Sequence, residues 1–86
     1  MNLLQEFTDR LGEEEGISAR EYRVEVNLFG QFLRDCPNIR PEVDDLRDAY
    51  QAWLECGSGL PEAEWSNHLY LVCLFVEKRK QEAEEN

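Results

Sequence analysis

The chain has 86 residues, with nineteen Asp and Glu against nine Lys and Arg, a formal charge of −10. Such a balance disfavours nucleic-acid backbone and anionic membrane as partners and favours basic surfaces. The length suits one domain, 1–86, and the hydrophobic content of 42%, with two Trp, three Tyr and four Phe, excludes a disordered acidic tail, which would lack aromatics.

Leu3, Leu4, Phe7 and Leu11 share one helical face and predict an amphipathic helix over 2–11. Gly12 stops it, and Glu13, Glu14, Glu15 and Gly16 read as a flexible acidic link over 12–17. Ser18 and Glu21 fit a capping box at the head of a helix over 18–36. Ala19, Tyr22, Val26, Phe29, Leu33 and Cys36 recur at spacings of three and four, and Val24, Leu28 and Phe32 widen the stripe. Gly30 in its middle predicts a close crossing with another backbone, and Pro37 ends the segment.

Pro41 stands where a first-turn proline belongs, with Glu42, Asp44 and Asp45 at the positive end of the helix dipole. The third helix is therefore expected over 41–56, with Val43, Leu46, Tyr50 and Trp53 as its stripe and Gly57 as a left-handed cap. Pro61, Glu62 and Glu64 open a last helix over 61–81, which Lys78, Arg79 and Lys80 close. Trp65, Leu69, Val72 and Val76 form one stripe, while Leu71, Cys73, Leu74 and Phe75 fill the rest of the circumference. The run from His68 to Val76 also suits a buried strand, because a continuous apolar run does not fix the period. The proline-and-acid start, the basic end and the lack of a partner strand favour helix. Residues 81–86 read as a frayed acidic tail. The expected fold is all-α, a compact single-domain bundle of three to four helices.

Charge is uneven along the chain. Residues 1–16 carry five acids and one base, 17–80 carry eleven and eight, and 81–86 carry three acids. More than two-thirds of the net charge thus lies at the ends, around a mildly acidic middle.

Little in the sequence points to catalysis. Cys36, Cys56 and Cys73 are an odd, widely spaced set, neither a disulfide framework nor a CxxC half-site, and read as small hydrophobes in a reducing cytosol. His68 is the single histidine, five residues from Cys73 and on a different helical face. No P-loop, HExxH or EF-hand pattern occurs. An enzyme is not expected, and no catalytic residue, metal ligand or cofactor is assigned. The first sixteen residues lack a basic, apolar leader, and the longest apolar stretch, Leu69 to Val76, is far short of the ~20 residues a membrane span needs. A cytoplasmic protein without a membrane partner is expected.

Leu46, Ala49-Tyr50 and Trp53 are followed by Leu60-Pro61, Trp65 and Leu69. Over residues 46–69 this pattern resembles the small winged-helix domain at the end of phage and poxvirus primase-helicases. The resemblance implies a helix-turn-helix arrangement and DNA as a partner. The chain departs from that family in a shorter loop, in Ser66-Asn67-His68 where basic residues are usual, and in lacking a glycine-rich wing. Its basic cluster, Lys78-Arg79-Lys80, adjoins an acidic tail, which disfavours direct contact with phosphates.

The reading that these features favour is a non-enzymatic protein–protein interaction module, an adaptor or inhibitor that docks a basic surface of a partner protein. Small acidic proteins of phages and mobile elements often act as nucleic-acid mimics, an analogy of size and charge. The alternative is a helix-turn-helix-like DNA-binding or regulatory domain. Glu13, Glu14, Glu15, Asp44, Asp45 and Asp48 are the candidate docking acids. Tyr70, Leu74 and Phe75 are candidate contacts on a last helix too apolar for one buried stripe, and a homodimer stays open.

Overall fold

A computed structural model describes residues 2–40 and 44–85. Its described residues form four α-helices and no strand: α1 (Leu3–Gly12), α2 (Ala19–Asp35), α3 (Leu46–Cys56) and α4 (Glu62–Glu85). The fold is all-α, and the run from His68 to Val76 is helical. Contacts cluster into two units, Met1–Pro37 and Asn38–Asn86, the first pairing α1 with α2 and the second α3 with α4.

In the first unit both helices begin on side-chain caps. Asn2 accepts a hydrogen bond from the Gln5 amide at 2.7 Å, and the Ser18 hydroxyl accepts from the Glu21 amide at 3.1 Å. The same hydroxyl donates to the Glu21 carboxylate at 3.3 Å. Each cap satisfies a first-turn N–H that has no intrahelical acceptor, an effect of about 1 kcal/mol. Phe7, Leu11, Leu28, Phe29 and Phe32 are buried. Phe7 stacks on Phe29 with ring centroids 4.2 Å apart, and Phe29 tilts against Phe32 at 5.6 Å. Leu4 faces Gly30, Phe7 faces Phe29 and Gly12 faces Tyr22, so the helices run antiparallel. A Cβ at Gly30 would meet only the Leu4 side chain, at 3.8 Å. The expected close backbone crossing is therefore replaced by ordinary side-chain contact. Helix α2 ends at Asp35, one residue before its predicted limit, because Pro37 disfavours helical geometry at Cys36.

The second unit corrects the expected third helix. Residues 41–43, including Pro41, lie outside the described residues, but Asp44 is a bend and Asp45 is the N-cap, so α3 begins at Leu46. The Asp45 side chain accepts from the Asp48 amide at 3.2 Å. The Asp44 carboxylate accepts from the Arg40 amide, and the Asp44 amide donates to the Arg40 carbonyl, both at 2.7 Å. Short acidic side chains that bond nearby backbone compete with helix, and here they postpone its start. Leu46, Tyr50, Trp53 and Leu54 are buried, with the Tyr50 and Trp53 rings 5.7 Å apart.

The α3–α4 connection also differs from expectation. Gly57 has φ −128°, outside the left-handed region, and Gly59 takes the positive φ of 75° instead. Gly57 lies tight against Trp53, since a Cβ there would be 3.0 Å from its Cδ1. The Ser58 hydroxyl donates to the Leu54 carbonyl at 2.7 Å and accepts from the Leu60 amide at 3.1 Å. The Trp65 indole N–H then donates to the Leu60 carbonyl at 3.0 Å. Helix α4 does not stop at residue 81 as expected but runs to Glu85. Gln81, Glu82, Ala83 and Glu84 are all good helix formers, so nothing local stops the helix.

Candidate interaction surfaces

The candidate acids fall into two groups in different units. Glu13 is the C-cap residue of α1; its amide donates to the Arg10 carbonyl at 3.1 Å, and the Glu14 amide donates to the Leu11 carbonyl at 3.2 Å. Glu14 is half-buried, while Glu13 and Glu15 are exposed ahead of Gly16 at φ 86°. Asp44, Asp45 and Asp48 are exposed at the head of α3. Two of these three side chains already accept backbone hydrogen bonds, so they are held in place as well as charged. Glu55, two turns beyond Asp48, extends the acidic edge, with Gln51 and Ala52 exposed between them. Its i+7 spacing from Asp48 was the signal for it, hidden because the acids between Glu42 and Asp48 draw attention as a run.

The candidate contacts on α4 separate. Tyr70 is 62% exposed and Leu74 is half-buried, but Phe75 is only 4% exposed. Phe75 therefore belongs to the interior, with the Arg79 guanidinium 5.8 Å from its ring centroid, a cation–π distance. Trp53 is buried and Trp65 half-buried.

A second charged surface lies on α2. Arg20, Arg23, Asn27, Gln31 and Arg34 are all exposed and share one helical stripe, with Val24 at its edge, 47% exposed. From Arg20 to Arg34 the stripe is about 21 Å long, at 1.5 Å per residue. Contiguous charge runs do not reveal it. Its arginines are three and eleven residues apart, and only helical phase gathers them. Glu25, on the same helix, is buried at 5% exposure.

Cys36 and Cys73 are half-buried, Cys56 is exposed, and all three are free thiols. His68 is half-buried on α4. Among the described residues no group of three or more His, Cys, Asp or Glu side chains is placed to hold a metal ion. No helix of the described residues is long and apolar enough to cross a membrane. No protein-family model matches the chain, and no characterised protein or solved structure matches it significantly.

Proposed function

We propose that the chain is a non-catalytic interaction module that docks a basic surface of a partner protein, as an adaptor or inhibitor, through the acidic edge of α3. The observation that carries this reading is the placement of Asp44, Asp45, Asp48 and Glu55 in the second unit. All four are exposed, and two are fixed by hydrogen bonds to backbone amides. Acids held this way lose less side-chain freedom on docking than acids in a loop. Opposite charge on the partner would then speed encounter and fix orientation. If the partner's surface is a nucleic-acid groove, the acidic edge acts as a phosphate mimic and competes with nucleic acid.

The test is affinity capture from the native host, followed by titration of the captured partner with wild-type protein and with a doubly reversed Asp48→Lys, Glu55→Lys variant. Neither side chain is the helix cap, and unchanged helical circular dichroism of the variant verifies that the fold is retained. A loss of roughly tenfold or more in affinity supports the reading, and unchanged affinity removes it.

The α2 stripe supports a second reading, contact with nucleic acid. Arginine suits phosphates and guanine, and Asn and Gln suit adenine edges. The net charge of −10 opposes it, and the stripe lies outside residues 46–69, where the primase-helicase resemblance falls. Duplex binding at low salt that falls steeply as salt is added, and that is lost in an Arg20→Gln, Arg23→Gln, Arg34→Gln variant, would favour this reading over the first.

A further inference from the structure

Helix α4 has two unlike faces. On one, Val72 and Phe75 are buried, with Leu69 and Val76 half-buried beside them. The other repeats at Glu64, Asn67, Leu71, Leu74 and Lys78, alternating steps of three and four, the seam spacing of helices that pair side by side. Leu71 and Leu74 are only half-buried on this seam. Tyr70 stands at its edge and is 62% exposed, more than any other large hydrophobic side chain among the described residues. A surface helix with a polar outer side would not place a tyrosine and two leucines there.

Charge along the seam indicates what covers it. Glu64 lies in the first turn, and Lys78 follows the apolar middle. In a second α4 laid antiparallel about a two-fold axis at Leu71, Leu71 of one copy meets Leu71 of the other, Leu74 flanks it on either side, and Glu64 stands opposite Lys78 at both ends. A parallel pair would instead set Glu64 beside Glu64 and Lys78 beside Lys78. We infer that the outer face of α4 binds a second copy of this chain, antiparallel, in an isologous homodimer. Two-fold symmetry uses each contact twice, so a short apolar seam and one kind of ion pair suffice to define the register. The leucines and Tyr70 supply the attraction, and the charges select direction.

The full chain is examined by sedimentation equilibrium under reducing conditions, which exclude disulfide-linked pairs. The apparent mass is expected to rise with concentration from 10.1 kDa toward twice that value. Tyr70→Glu and Leu74→Glu, each with unchanged helical circular dichroism, hold it at the monomer value. Tyr70 is the safer of the two sites, because its exposure removes it from the fold's own packing. Glu64→Lys alone and Lys78→Glu alone each weaken association, by about tenfold. The two changes combined in one chain restore it, because every swapped pair is again opposite in sign. A wild-type mass fixed at that of the monomer at all concentrations overturns the inference, as does association that both the Tyr70 and Leu74 variants leave intact. Single swaps that weaken association without rescue by the combination overturn the antiparallel arrangement.

Discussion

Helices α2 and α4 are apolar to a similar degree, eight of 17 residues in the first and eleven of 24 in the second, and use that content in opposite ways. In α2 the large side chains recur with the helical period, so Leu28, Phe29 and Phe32 are buried while Arg20, Arg23, Asn27, Gln31 and Arg34 face solvent. In α4 the eight residues from Leu69 to Val76 are apolar without interruption, yet only Val72 and Phe75 among them are buried. A periodic pattern names the face that will be covered. A continuous one says only that more than one face is apolar, and the second face must be found in three dimensions.

The sharpest way to break this comparison is to remove a side chain from each class. Phe29 has no exposed surface and stacks on Phe7, so Phe29→Ala should lower stability by about 3–5 kcal/mol, read from the urea midpoint. The next effect separates charge from structure at the head of α3. Asp45→Ala should cost about 1 kcal/mol through loss of the cap, whereas Asp45→Asn, which caps equally well, should be nearly neutral in thermal unfolding. If both variants lose the same amount, it is the charge rather than the hydrogen bond that matters there.

Gly30→Ala should stabilise by about 0.5–1 kcal/mol, because the new methyl meets Leu4 at an ordinary contact distance and the helix loses a flexible residue. Gly57→Ala should have the opposite sign, since its methyl would crowd Trp53. The smallest effect is expected at the outer face of α4. At concentrations where the chain is monomeric, Tyr70→Ser should change stability by less than about 0.5 kcal/mol. A cost near that of Phe29→Ala would make the whole circumference of α4 interior and erase the contrast with α2.

The helices were legible because their own residues announce them. Ser18 and Glu21 mark the start of α2, Pro37 its end, and Leu3, Leu4, Phe7 and Leu11 the face of α1. The errors arose where two local signals competed. Pro41 and its neighbouring acids suggest an early start to α3, but Asp44 bonds the Arg40 backbone and Asp45 caps four residues beyond the proline. Gly57 and Gly59 are equally good stops on paper, and the bulk of Trp53 together with the turn geometry assigns them different tasks. The acidic tail looks unstructured by charge, while its residue types favour the helix they form.

The candidate surfaces were less legible. Asp44, Asp45 and Asp48 stand out because they are close in sequence, but Glu55 joins them only through helical phase. The three arginines of α2 are scattered among acids and gather only when the helix is wound. Phe75 was indistinguishable from Leu74 in an aperiodic run, and packing buried one more deeply than the other.

Both tryptophans, Trp53 and Trp65, lie in the α3–α4 unit, and the α1–α2 unit has none. Their emission therefore reports one half of the molecule. Loss of helical circular dichroism ahead of any change in tryptophan fluorescence would assign the first melting to α1 and α2. Comparing the two signals through one denaturation would measure whether the halves unfold together or in turn, with no label added.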